Sequence, residues 1–154
     1  MDNSQEQPDS HEHLRHGATD QRRGAIGVIV RADGRLLVIE RSQTVRAPGR
    51  YCFPGGGIEA GESEEQAVER ELIEELNIRV KPIRRLWESE TRSGVLLHWW
   101  LVQPINEDLP APNPDEVARC FWMLPAEITK EPKTLQSNRE FLAAFAEGQF
   151  SLDP

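Results

Sequence analysis

The spacing of apolar and polar residues predicts a folded α/β domain behind a polar N-terminal segment. Residues 1–23 are charged and nearly free of large apolar side chains, so we expect a disordered tail there and an ordered domain over residues 24–154. We expect an apolar strand at 25–30 to form a hairpin with a second strand at 35–41. The remaining predicted elements are strands at 51–53, 79–90, 95–102 and 116–123, a helical turn around Glu127 and an amphipathic helix at 135–147.

A helix with a signal at each end is predicted at residues 64–76. Ser63 is suited to the N-cap position, and Gln66 three residues later completes a capping-box pattern. Asn77 follows the helix where a left-handed residue is wanted, and asparagine is the second choice after glycine there. An apolar stripe along one face of the helix is formed by Val68, Leu72 and Leu76, so we predict that this face is buried.

Three carboxylates, Glu71, Glu74 and Glu75, border this apolar stripe at helical spacings of three and four. By themselves they are compatible with a solvated, glutamate-rich helix, because like charges at these spacings repel by only about 0.2–0.5 kcal/mol. The glycines at 55–57, just before the helix, change this interpretation, since such a turn lets the backbone approach other groups closely. Carboxylates, joined by a backbone carbonyl such as that of Gly55, suit Mg²⁺ or Mn²⁺ shared with a substrate phosphate. The combination indicates metal-assisted attack on a phosphoanhydride.

The same residues form a longer pattern, G-x5-E-x7-R-E-U-x-E-E-x-G-U, in which U is a bulky aliphatic residue. Asn77 replaces the last glycine, and the other positions match in register: Gly56, Glu62, Arg70, Glu71, Leu72, Glu74, Glu75 and Ile78. This pattern resembles the Nudix box, so the chain is identified as a member of the Nudix hydrolase superfamily, of the MutT-like kind. Asparagine tolerates the left-handed conformation, so the one departure costs little.

The resemblance implies a Nudix-type α/β/α sandwich with a mixed sheet. It also implies a pyrophosphohydrolase that uses Mg²⁺ or Mn²⁺ on a nucleoside diphosphate linked to another group, such as a nucleoside triphosphate. Glu71, Glu74 and Glu75 would hold the metal, with one of them or a nearby carboxylate as the base, and Arg70 would orient them through ion pairs. In several relatives a glutamate beyond the box completes the cluster, and the candidates here are Asp115 and Glu116, just before a strand. Glu116 is also a candidate for binding substrate.

The loop upstream of the box carries a second, partial resemblance. It partly matches the signature of coenzyme A pyrophosphatases, RS-x3-R-x3-G-x3-FPGG, although the gap between Arg46 and Gly49 is one residue short. Arg41 and Arg46 are therefore candidates for binding substrate phosphate oxygens, or are surface arginines of a loop. Two alternatives to the main hypothesis stay open: a coenzyme A-type pyrophosphatase, and a non-catalytic Nudix-fold ligand-binding module. Such modules often lose box carboxylates, and this chain keeps them all.

Composition limits the partners and the location. A formal charge of −8 argues against a general binder of nucleic acid backbones. The sequence has no apolar run of the roughly 18 residues that cross a bilayer, and no signal peptide is recognised, so we expect no membrane partner. Cys52 and Cys120 are interpreted as reduced core thiols, which fits a cytoplasmic enzyme. His98 is interpreted as a histidine on a strand face, and a homodimer is left open.

Overall fold

Seven strands and three helices account for the regular structure in residues 21–107 and 109–154, which are the residues that the computed structural model describes. The strands are β1 Arg23–Val28, β2 Leu36–Arg41, β3 Tyr51–Cys52, β4 Gly55–Gly57, β5 Val80–Glu90, β6 Leu96–Pro104 and β7 Val117–Met123; the helices are α1 Glu64–Leu76, α2 Pro125–Lys130 and α3 Gln136–Ala146. The predicted disordered tail falls mostly on residues 1–20, which lie outside the described residues. Apart from β4, which was not predicted as a strand, these elements match the predicted ones to within two residues at each end.

The strands form two sheets. The four-stranded sheet has the order β4-β1-β6-β5 and is mixed, because β1 runs parallel to β6 and antiparallel to β4. The three-stranded sheet, β3-β2-β7, is antiparallel. The predicted hairpin forms only next to its turn, through an antiparallel bridge between Val30 and Leu36 and a hydrogen bond from the Leu37 N–H to the Ile29 carbonyl. These contacts lie beyond the end of β1, and β1 and β2 themselves belong to different sheets. Both edges of β1 are already occupied by β4 and β6, so no edge is left for β2.

The helices cover the two sheets from opposite sides, which gives the α/β/α sandwich. On one side α1 buries the predicted stripe of Val68, Leu72 and Leu76 completely. On the other side α2 and α3 enclose a second cluster that includes Trp99 and Phe141, whose rings stack with centroids 4.7 Å apart. The apolar cores therefore fix α1 against the sheets, and α1 carries the acidic residues singled out above.

The ends of α1 are capped as its sequence predicts. Ser63 Oγ accepts from the Gln66 N–H at 3.1 Å, and Gln66 Oε1 accepts from the Ser63 N–H at 2.9 Å. Asn77 has the left-handed conformation, with φ 54° and ψ 32°. Because both ends are defined locally, the helix begins and ends where the capping signals place it.

The two thiols are free. Cys52 and Cys120 lie on the two strands that flank β2, and both pair in register with Ile39. Burial raises the pKa of the Cys52 thiol to about 12, so this cysteine behaves as an apolar core residue. Within residues 21–107 and 109–154, every helix is too short or too polar to cross a lipid bilayer.

Candidate active site

Three carboxylates from two distant parts of the chain converge beside α1. Glu71 and Glu74 project from the helix, and Glu116 lies just before β7. Each offers an oxygen, and these three oxygens lie within 4.8 Å of one another. Glu71 and Glu116 are partly buried and Glu74 is exposed. The structure thus places Glu116, which only the family resemblance had suggested, beside two of the three helix carboxylates.

Glu75 occupies a different environment from these three. It is only 5% exposed, and its Oε1 accepts a hydrogen bond from the Gly55 N–H at 2.8 Å. Burial raises the pKa of Glu75 to about 8, and the charges of Glu71 and Glu116 act in the same direction. For Gly55 the observed contact is thus through its N–H; a metal contact through its carbonyl stays a prediction.

Two of the consecutive glycines are needed for this geometry. Gly55 has φ 152°, and a Cβ there would collide with the Ala25 carbonyl oxygen and lie 2.7 Å from the Ile26 Cα. At Gly56 a Cβ would lie 2.5 Å from the Glu71 carboxyl carbon. The turn therefore lets the backbone pack against β1 on one side and against the Glu71 carboxylate on the other.

Arg70 organises the carboxylates around it. Its Nε and Nη2 donate to the two oxygens of Glu62 at 2.8 and 2.9 Å, and its Nη1 donates to Glu71 at 3.0 Å and to Glu74 at 3.3 Å. Nη2 also donates to the Gly57 carbonyl at 2.8 Å. The hydrogen bonds from Arg70 lower the pKa of Glu62 to about 2. Arg70 thus ties the glycine turn to the helix, and its role in orienting the carboxylates during the reaction stays a prediction.

Comparison with known proteins shows the family of this chain. A family model described as "NUDIX domain" matches residues 20–145. The chain belongs to the Nudix hydrolase superfamily. It is 31% identical over 110 residues to the CTP pyrophosphohydrolase of Escherichia coli K12, and the aligned region covers 70% of this chain and 79% of that protein. It is also 41% identical over 73 residues to a MutT-like protein of Streptomyces ambofaciens, which covers 46% of this chain and only 45% of that protein.

A solved structure shows the same Nudix fold. The MutT protein from Methanosarcina mazei Go1 superimposes with a TM-score of 0.72 over 82% of this chain and 94% of that one. At 21% identity this likeness supports the fold alone.

The charge balance of this Nudix site is strongly negative. Burial raises the pKa of Glu71, and the charges of Glu74 and Glu116 add to the effect against the opposing charge of Arg70. Carboxylates that repel one another in this way are suited to a divalent cation. The converging ligands are all oxygens, which Mg²⁺ and Mn²⁺ prefer, and nitrogen or sulfur ligands that would favour zinc or copper are not among them. The residues present therefore fit the cation that the family implies.

The two candidate phosphate-binding arginines are placed differently. Arg41 lies at the end of β2, and its positive charge opposes, without reversing, the rise that burial causes in the pKa of Glu75. Its Nε donates to the Arg46 carbonyl at 2.6 Å. Arg46 itself is exposed, and this contact with Arg41 is made through its backbone. The Arg41 side chain is thus held by the loop that follows β2, whereas the Arg46 side chain is exposed.

Proposed function

We propose that this Nudix protein is a pyrophosphohydrolase that requires Mg²⁺ or Mn²⁺ and cleaves the phosphoanhydride of a nucleoside diphosphate linked to another group. The observation that carries the proposal is the convergence of Glu71, Glu74 and Glu116 within 4.8 Å. These residues would hold the cation, which when bound neutralises charge that develops on the phosphate and lowers the pKa of the attacking water.

The surrounding residues keep these carboxylates in place. Arg70 donates to both Glu71 and Glu74, so one guanidinium group restrains both side chains. The neighbouring carboxylate of Glu75 is held by the glycine turn, because its Oε1 accepts a hydrogen bond from the Gly55 N–H. A site whose ligands are held before substrate arrives loses little free energy in ordering them, which favours catalysis.

Nucleoside triphosphates are the first substrate candidates. Arg41 offers guanidinium donors that match phosphate oxygens, and its charge acts on the site through Glu75. Of the relatives named above, the Escherichia coli protein that aligns over 70% of this chain acts on CTP according to its name. CTP is therefore the first nucleotide to test, and Arg41 is the proposed phosphate ligand, with Arg46 a more distant candidate.

The test is a hydrolysis panel with the purified protein and either cation. CTP, the other nucleoside triphosphates, 8-oxo-dGTP, ADP-ribose and coenzyme A are each incubated with Mg²⁺ or Mn²⁺, and the products are separated by ion-exchange chromatography. We expect nucleotide cleavage at a phosphoanhydride that stops when EDTA is added. Glu71→Gln is the matched inactive control. Binding of a nucleotide without hydrolysis of any member would instead establish a non-catalytic module.

A further inference from the structure

The loop between β6 and β7 caps the C-terminal end of α1. The last carbonyls of a helix have no partner inside the helix, so they need donors from elsewhere. Here the Ala111 N–H donates to the Leu76 carbonyl at 2.8 Å, and the Asn113 N–H donates to the Glu75 carbonyl at 2.9 Å. Asn113 Nδ2 donates to the Glu74 carbonyl at 3.2 Å. The loop is therefore tied to the same helical turn that carries two of the acidic residues.

Asn113 also holds the segment that carries Glu116. Its carbonyl accepts from the Glu116 N–H at 3.0 Å and from the Val117 N–H at 2.8 Å. Its side-chain Oδ1 accepts from the Asp115 N–H at 3.2 Å. One residue thus contacts the backbone of Glu74 on the helix and the backbone of Glu116 on the loop.

A second anchor holds Glu116 from the side of β2. The Ser42 N–H donates to the Glu116 carbonyl at 3.0 Å. The hydroxyls of Ser42 and Thr44 both donate to the Asp115 carbonyl at 3.0 Å. This anchor fixes Glu116 to the end of β2, and of the loop residues bonded to the helix Asn113 is the one nearest to Glu116 in the chain.

We infer that Asn113 is a positioning residue that sets the spacing between Glu116 and Glu74 and thereby the affinity of the site for a divalent cation. The inference rests on the proposed function, because it assigns these carboxylates to the cation. Asparagine suits this position since its amide both donates to Glu74 and accepts from Asp115. Serine would keep an acceptor for the Asp115 N–H but is too short to reach the Glu74 carbonyl. Groups that orient metal ligands change metal affinity without touching the ion.

The test is direct Mn²⁺ binding, measured without substrate from the EPR signal of free Mn²⁺. Asn113→Ala removes both side-chain hydrogen bonds, and Asn113→Ser removes only the one to Glu74. We expect each to raise the dissociation constant for Mn²⁺ about 10-fold, the lower end of the range for residues that orient metal ligands. Saturating Mn²⁺ should restore kcat in both, because the side-chain hydrogen bonds of Asn113 go to backbone groups and both variants keep every carboxylate.

Asn77→Gly is the matched control. It removes the hydrogen bond of 2.7 Å from Asn77 Nδ2 to the Ala111 carbonyl. This bond also joins the loop to the end of the helix, but at a point further from Glu116 in the chain. Glycine keeps the left-handed conformation, and we expect this variant to bind Mn²⁺ like the wild type.

Three results would overturn the inference: wild-type Mn²⁺ affinity in Asn113→Ser, an equal loss in Asn77→Gly, or no Mn²⁺ binding by the wild type. If the wild type binds Mn²⁺ but hydrolyses no nucleotide, the proposed function fails, while the Mn²⁺ measurements still decide the role of Asn113.

Discussion

Two networks of carboxylates and arginines lie along α1, and they differ in how far the negative charge of the carboxylates is compensated. The first surrounds Glu64, at the beginning of the helix. Arg85 donates to both of its oxygens at 2.9 and 2.6 Å, Arg23 lies 3.5 Å away, and Trp100 Nε1 donates to it at 2.9 Å. Burial alone would raise the pKa of Glu64, but the hydrogen bonds from Arg85 and Trp100 outweigh it, so the net shift is downward. This carboxylate is fully compensated by the chain itself.

The second network lies further along the helix and lacks that compensation. The pKa values of Glu71 and Glu75 are raised, mainly by burial, and neighbouring carboxylates raise them further. Arg70 is shared among Glu62, Glu71 and Glu74. The difference suggests that Glu64 stabilises the fold, whereas the second network is arranged for a cation that the chain does not supply. Three substitutions separate these two roles.

The largest expected effect is that of Glu75→Gln on turnover. Glutamine can still accept from the Gly55 N–H, so the local geometry is kept while the charge is lost. We expect kcat to fall by about 10²- to 10³-fold, the range for loss of one preorganised electrostatic group. In the absence of metal the melting temperature should be unchanged or higher, because a neutral amide is buried more easily than a carboxylate beside other carboxylates. Calorimetry and steady-state kinetics on the same preparation test both parts. If the variant lost both stability and activity, Glu75 would also stabilise the fold, and the contrast with Glu64 would be wrong.

Glu64→Gln should show the reverse behaviour. The variant loses the charge that Arg85 and Arg23 share, and hydrogen bonds to a charged group contribute more than neutral ones, so we expect unfolding to require about 1–2 kcal/mol less. Activity of the folded variant should match that of the wild type. Urea denaturation measures the first quantity, and kcat at a temperature well below the transition measures the second. Glu65→Gln, at an exposed position in the same helical turn, is the control; reduced turnover in folded Glu64→Gln alone would assign Glu64 to the active site.

The sequence was sufficient for the parts of the site that local signals determine. The bounds of α1 follow from Ser63, Gln66 and Asn77, which act within one helical turn of the residues they cap. The acidic residues of the helix follow from the box pattern. The grouping of Glu116 with Glu71 was inferable only from the family, because no local rule connects residues so far apart in the chain.

What the sequence did not predict depends on contacts between distant segments. The β1–β2 hairpin was expected from a turn signal, but it forms only next to the turn, because β4 and β6 occupy both edges of β1. The Glu64 network joins three separate strands to the helix, and in the sequence its charged members look like ordinary surface residues. Asn113 lies in a proline-rich stretch that predicts only a turn. Each of these features requires knowing which distant segments the fold brings together and which of their groups are already paired, and that is a property of the whole fold.

The smallest effect is expected for a substitution in the glycine turn. This substitution tests whether the second network depends on the position of the Glu71 carboxylate. Gly56→Ala would place a Cβ 2.5 Å from the Glu71 carboxyl carbon, so the side chain must move while the backbone need not. We expect Mn²⁺ affinity and turnover to fall about 10-fold, as for other changes that displace a metal ligand indirectly, with little change in the melting temperature. Gly57→Ala is the control, since a Cβ there meets nothing within 4 Å. Equal Mn²⁺ affinity in the two variants would show that Glu71 tolerates displacement, and the contrast between the networks would then rest on charge alone.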